Sequence, residues 1–540
     1  MKRLSFSRRA VAWLCALLLL VSVLPLYALA LYNHAFYDDF GFSLLTHDAW
    51  QQTGSLAAVV EAAVRNTIGI RQTWEGTYTT SFLSTFQPSI FGDGLYWITT
   101  FFLLTVFLLA VGYFLRQTLR GIYGMDRSAL VASFGILGFV LVQFVPDAAE
   151  AFFWFNGGVA YTLLWSVMLF EAGVWLHFER TTGKARTILL YLFLLVLTVL
   201  VGGAKYTTTL FAALLAIVFT GWAFLHQRPK KWAYLSLTLV LLLCFTFSMS
   251  AAGNSVRAQT LSGGMSVTKA VLEALYFGLA LIGNSFSLPL LAAMILIVPL
   301  SIPALKVSGL RFGHPVLVTL LCACLFCAQL APTLYTGNYL GDGRVLNTYY
   351  YTFVLMVAQL VLYWAGWFIR RNEHGLAPLS TFELLFMTAP LRETLSPMDA
   401  DAPLPAPTQV ENPEARKIAG QKFETRLKAA TLALAAGMLL LGCMAYHPDR
   451  SQSYGPQNMA GGSAFRSIIS GEAAQYDKAM DARDEAMNNP ILTDVVLTPV
   501  EGAPASFMGD ALIGDNLDYV ISLYADYYNK ATVSIAGTEK

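Results

Sequence analysis

Apolar residues in this chain run in long unbroken blocks, not in the alternation of strands or the narrow stripes of surface helices. The blocks fall near 10–32, 94–115, 128–145, 157–178, 187–204, 207–225, 232–250, 286–305, 314–334, 347–368 and 428–446. Each approaches the ~20 residues that carry an α-helix through a bilayer. The pattern predicts an all-α polytopic membrane protein with about 11 transmembrane helices. The stretch 266–284 is also apolar, but it reads as a re-entrant or surface helix, because a full crossing there would invert every later loop.

The connecting segments alternate in charge. One set is basic throughout: Lys2, Arg3, Arg8 and Arg9, then Arg116/Arg120/Arg127, Arg180/Lys184/Arg186, Arg228/Lys230/Lys231, Lys306/Arg311 and Arg370/Arg371. The other set carries only the isolated cations Lys205, Arg257, Lys269 and Arg344. Positive loops stay in the cytoplasm, so this is a multi-pass protein of the cell membrane with its N-terminus inside and the region after His447 outside. The first block is longer than the apolar core of a secretion signal and reads as a retained span. Ala28-Leu29-Ala30 nonetheless resembles a cleavage site, which leaves both readings open.

The chain therefore divides into a transmembrane domain over 1–368 with a first outer loop at 33–93, a cytoplasmic insert at 369–427, a last span at 428–446 and an extracytoplasmic region at 447–540. In the first loop, Leu56, Val59, Val60, Ala63 and Val64 predict one amphipathic helix from His47 to Asn66 lying on the membrane surface. The Pro- and Ala-rich insert reads as flexible. The C-terminal region predicts helices near 472–488 and 516–529 and strand-like runs at 494–500 and 531–536, a small α/β tail packed on the outer face.

Composition agrees with these divisions. Of 540 residues, 56% are hydrophobic and only 13% charged, against about a quarter charged in soluble domains. A net charge of +1 without a basic patch gives no footing for nucleic acid. The six cysteines all lie in apolar blocks, so the outer segments have no disulfide framework, and Cys322-Ala-Cys324-Leu-Phe-Cys327 reads as helix packing.

Against so few charges, Tyr37-Asp38-Asp39-Phe40 stands out, because two carboxylates beside hydrocarbon are costly. They suggest an outward-opening cavity where one of them binds a hydroxyl or a metal ion. Further polar motifs fall on the same predicted face: Trp74-Glu75-Gly76, Asp147 and Glu150 through Trp154 to Asn156-Gly-Gly158, Gly202-Gly203-Ala204-Lys205, Ala252-Gly253-Asn254-Ser255-Val256-Arg257 and Gly341-Asp342-Gly343-Arg344. Aromatic faces, carboxylates and single cations suit a site that handles a sugar and a phosphate. Glu171, within the fourth block, reads as facing other helices or water rather than relaying protons. His34 and His47 fall in no metal-ligand spacing.

A long first outer loop opening on an acidic pair resembles the membrane glycosyltransferases of the GT-C superfamily, whose donors are polyprenyl-phosphate sugars. The finer pattern looks like an uncharacterised bacterial family of that class, DUF6056. It is carried by Tyr37-Asp38-Asp39-Phe40, Trp74 to Tyr78, Glu150 to Gly158, Ala252 to Arg257, and Gly509-Asp510 with Tyr524-Ala-Asp-Tyr-Tyr528. Ala252 stands where that pattern has Pro, and Thr77 where it has Arg. The resemblance implies inverting transfer from a polyprenyl-phosphate-linked donor to an envelope glycan, lipid or protein outside the cytoplasm. A phosphate leaves without needing a proton, so one carboxylate base suffices. On this reading Asp39 is the base or a metal ligand. Asp38 or Glu150 orients the acceptor or coordinates a divalent metal. Arg257, Arg344 and Lys205 hold the phosphate, and Trp74, Tyr78, Trp154 and Asn156 line the substrate. The competing functions are a transporter or flippase for a lipid-linked sugar and a non-catalytic envelope-assembly protein.

Overall fold

The computed structural model describes residues 7–260, 264–337, 339–373, 413–448, 454–513 and 517–536. It is a bundle of long helices. Helix α1 spans Arg8–Leu29, and α2 (Asp38–Thr53), α3 (Leu56–Thr73) and α4 (Tyr78–Ser84) form the first loop. Then follow α5 (Ile98–Leu115), α6 (Arg127–Gln143), α7 (Phe155–Arg180), α8 (Lys184–Gly202), α9 (Tyr206–Leu225) and α10 (Lys231–Met249). Short α11 (Ala252–Thr260) precedes α12 (Val267–Asn284), α13 (Leu288–Val307), α14 (Pro315–Gly337), α15 (Gly343–Glu373) and α16 (Pro413–Met444). Among the described residues ten helices are long and apolar enough to cross a membrane, and α6 and the 429–444 part of α16 are shorter apolar helices.

Contacts between loops sort the helix ends onto two faces. On one face Arg8 pairs with Asp126 at 3.0 Å, Arg180 donates to Gln117 O at 3.2 Å, and Lys230 reaches Thr181 O at 2.7 Å. The basic loops gather here. On the opposite face Asn33 donates to Phe153 O at 2.6 Å and Lys205 and Arg257 both reach Glu75. Helix α12 meets the length and composition of a span, yet it begins on this second face, where Met265 N donates to Tyr335 O at 3.1 Å. The next helix, α13, ends on the basic face, where Tyr363 donates to Gly313 O at 2.6 Å and Phe312 stacks on Tyr123. Two successive full crossings would return the chain to its starting face, so α12 and α13 together account for one.

The first loop departs from the expected single helix between His47 and Asn66. Gly54, at φ +62°, ends α2 and starts a separate α3. The expected stripe is also divided. Val59, Ala62 and Ala63 pack inward, while Leu56, Val60, Val64 and Ile68 are exposed. Of the insert expected to be flexible, 374–412 lie outside the described residues.

After α16 come α17 (Ala460–Ile469), α18 (Glu472–Asn488), β1 (Asp494–Leu497), α19 (Leu517–Tyr527) and β2 (Thr532–Ile535). The two strands pair in parallel, Val495 against Val533 and Leu497 against Ile535. Buried Arg483 grips both oxygens of Asp510 at 2.7 Å. The tail sits on the first loop, where Phe40 packs between Tyr524 and Tyr527 at centroid distances of 4.7 and 5.0 Å. Removing one partner of a buried pair strands the other charge, at about 3–5 kcal/mol. Asp510→Ala should therefore unlock the tail, and limited proteolysis of the purified protein should then cleave within 454–513 while leaving the transmembrane helices intact.

Candidate functional site

The turn before α2 is tight, with Tyr37 at φ +46°. Asp39 closes it by accepting from Phe36 N at 3.1 Å, and the same oxygen accepts from the Tyr96 hydroxyl at 2.5 Å. Its other oxygen accepts from Asn156 N at 3.1 Å and Asn156 Nδ2 at 2.8 Å. Asp39 is fully buried. Burial lifts its pKa to about 7, against the pull of these four donors. Both oxygens are saturated and neither meets solvent, so Asp39 as placed here presents no open lone pair to a substrate or a metal ion. It is a staple joining α2 to the starts of α5 and α7. Asn156 gives its backbone N–H and its Nδ2 to the same staple and is buried.

Asp38 faces the other way. It is partly exposed, and it shares an electrostatic environment with Arg344, Lys205, Arg257 and Glu75. Burial raises its pKa, and the three cations pull it back. Residues 38, 75, 205, 257 and 344, spread over some 300 positions of sequence, thus meet at one surface.

Glu75 is the centre of one half. It is buried, Lys205 Nζ reaches its two oxygens at 2.6 and 2.7 Å, and Arg257 Nη1 reaches Oε2 at 2.7 Å. Thr77, where the resembled pattern has Arg, donates to Oε1 at 2.8 Å. Burial pushes the Glu75 pKa up, but the two cations outweigh it and hold the group below the usual carboxylate range. The pairing depends on a close backbone crossing. A Cβ on Gly253 would lie 2.5 Å from Trp74 N, and one on Gly76 only 1.8 Å from Ser248 O. Asn254 fastens the crossing by accepting from Gly76 N at 3.2 Å and from the Tyr206 hydroxyl at 2.8 Å.

Arg344 is the centre of the other half. At the start of α15 it pairs with Glu150 Oε1 at 3.0 Å and with Asp342 at 2.6 Å, and its backbone N–H also donates to Glu150. Glu150 sits in a wide π-type turn, Ala149–Phe153, where burial raises its pKa and Arg344 opposes the rise. The guanidinium lies 5.2 Å from the Trp154 ring and 5.9 Å from that of Tyr161, which belongs to a π-wound stretch at the start of α7. Such π-turns are frequent at functional sites. Tyr339 lies close enough to feel both Arg344 and Arg257.

The aromatic assignments change. Trp74 is 39% exposed with Arg257 5.1 Å above its ring, and it can take a ligand face. Trp154 is buried beneath Arg344, so it supports the cation and offers no open platform. Tyr78 points away and donates to Val199 O at 2.5 Å, a packing contact with α8. Sequence reasoning named Glu75 only as part of a motif, and it gave no role to Asp342, Tyr161 or Tyr339. The signal for Glu75 was its place between Trp74 and Gly76, a buried acid beside a glycine that only a close crossing requires.

The two adjacent aspartates should separate cleanly on mutation. Asp39→Asn turns an amide donor toward N–H and O–H donors, at about 1–3 kcal/mol, and should lower the thermal midpoint in detergent. Asp38→Asn should leave that midpoint within a degree or two. Gly253→Ala should displace α11 from the α3–α4 turn and lower the midpoint as Asp39→Asn does.

No family model matches the chain, and neither does any curated protein or solved structure.

Proposed function

We propose that the chain is a membrane glycosyltransferase of the GT-C kind, moving a sugar from a polyprenyl-phosphate-linked donor to an acceptor hydroxyl of the cell envelope. The carrying observation is that two buried carboxylates, Glu75 and Glu150, hold Lys205, Arg257 and Arg344 at the end of the bundle away from the basic loops, within electrostatic reach of the partly exposed Asp38. The positive-inside rule makes the basic face cytoplasmic. The site and the tail then lie outside, where the donor headgroup and envelope acceptors meet.

The proposed chemistry is a displacement at the anomeric carbon. The acceptor oxygen forms a bond to that carbon, the bond to the phosphate oxygen breaks, and the acceptor proton passes to Asp38. Asp38 is an acid of this face that is partly exposed, so it can accept the proton; burial raises its pKa while Arg344, Lys205 and Arg257 oppose the rise. Negative charge grows on the departing phosphate, where Arg344 and Arg257 offer donors already positioned by Glu150 and Glu75. Trp74 offers a ring to the sugar.

A second reading, a flippase for the same kind of lipid, draws on a cavity of about 410 Å³ inside the bundle. It is lined mainly by apolar groups such as Trp165, Met168 and Phe211, with Glu171 and Gln359 among them. Glu171 is held there by Thr198 at 2.6 Å. The two readings part on Asp38→Asn and Glu171→Gln, tested with expression verified and envelope glycans compared by mass spectrometry against a deletion strain. A transferase loses the product with Asp38→Asn, by 100-fold or more (about 10²–10⁴ for a lost general base), and keeps it with Glu171→Gln. A product unchanged in Asp38→Asn but absent in the deletion strain would end the transferase reading.

A further inference from the structure

A second cluster lies where the tail meets the first loop, and the proposed transfer does not use it. Asp477, Asp481 and Asp484 fall at i, i+4 and i+7 of α18, on one helix face. That face meets His34, in the segment between α1 and α2. The imidazole is 9% exposed. Its Nε2 lies 3.0 Å from Asp477 Oδ1 and 3.9 Å from Asp481 Oδ1, while Nδ1 lies 3.1 Å from Asp484 Oδ2. The ligand atoms of His34, Asp477 and Asp481 all lie within 4.8 Å of one another. Asp484 completes the arrangement typical of metal-bound histidine, in which a carboxylate behind the ring takes the second N–H and fixes the tautomer.

Charge gives an independent reason. Asn488 Nδ2 ties Asp93 (2.5 Å) to the same corner by also donating to Asp484 O at 2.8 Å. Three carboxylates thus face one imidazole with a fourth, Asp93, at the same corner, and among the described residues the three on α18 form ion pairs only with His34. Even a protonated ring leaves a large negative excess, which a divalent cation would neutralise.

We propose that His34 Nε2 and the carboxylates of Asp477 and Asp481 bind a divalent transition-metal ion of the zinc class, with Asp484 orienting the ring from behind. One imidazole and two carboxylates suit zinc, or manganese, better than the all-oxygen shells of calcium and magnesium. Asp481 is 70% exposed, so the ion can load from solution and keep water in a remaining position. The ion would pin the tail to the chain four residues before Asp38.

The test uses the full chain purified in detergent, stripped with EDTA, incubated with zinc sulfate and desalted. Metal content is read by mass spectrometry and stability by thermal unfolding with and without zinc. The wild type should retain about one zinc per chain and melt higher with zinc than with EDTA. The double variant Asp477→Asn/Asp481→Asn should lose both effects. Asp484→Asn should bind zinc on the order of 10–100-fold more weakly. His34→Gln should also lose the metal, and if it fails to fold the aspartate variants still decide. Zinc content unchanged in the double variant would overturn the proposal. So would a wild-type melt indifferent to zinc, which would reduce the cluster to a protonated histidine clamped between aspartates.

Discussion

A single carboxylate with no path to water holds the site face in register. Asp39 gathers four donors from three stretches of chain, the turn before α2 and the starts of α5 and α7. A buried carboxylate is tolerated only when its lone pairs are met, so these three stretches cannot separate without exposing the group or leaving it unpaired. Its neighbour Asp38 is turned outward as a consequence, because adjacent residues at a helix start diverge by about 100° around the axis. The staple and the proposed base are therefore one device.

The cations of the site are held in the same way. Glu75 and Glu150 are buried acids whose role is to position Lys205, Arg257 and Arg344. Every cation near Asp38 already has a carboxylate partner. An anionic ligand here must share donors rather than neutralise a bare positive surface. That favours a group such as a phosphate monoanion or diester, held by directed N–H bonds, over a highly charged polyanion. Arg257 and Arg344 each rest on an indole, one exposed and one buried, which fixes the plane of the fork as well as its location.

The tail is part of this arrangement and not an appendage. It wraps Phe40 in tyrosines directly after Asp39 and closes on His34 just before it. Contacts on both sides of the acidic pair connect the packing of α18 and α19 to the geometry of Asp38.

The membrane-spanning architecture was legible from the sequence, because about 20 consecutive apolar residues admit almost no other explanation. So was the separation of basic loops from acidic and aromatic ones, since charge cannot cross hydrocarbon without a countering group. The tail's helices and strands were readable for the ordinary reason of periodicity. Gly54 was not read as a helix stop, since the apolar positions around it continue the stripe that the break divides. The site was legible as a list of residues and illegible as an arrangement. Nothing in Asp38-Asp39 says which carboxylate turns inward, because that depends on Tyr96 and Asn156, 57 and 117 positions away. Nothing in the spacing of Asp477, Asp481 and Asp484 reveals a histidine more than 440 residues earlier in the chain. Hydrophobic length and loop charge act locally along the chain, so sequence alone determined them. Hydrogen-bond saturation and charge pairing are settled between distant segments, and only the folded bundle decided those.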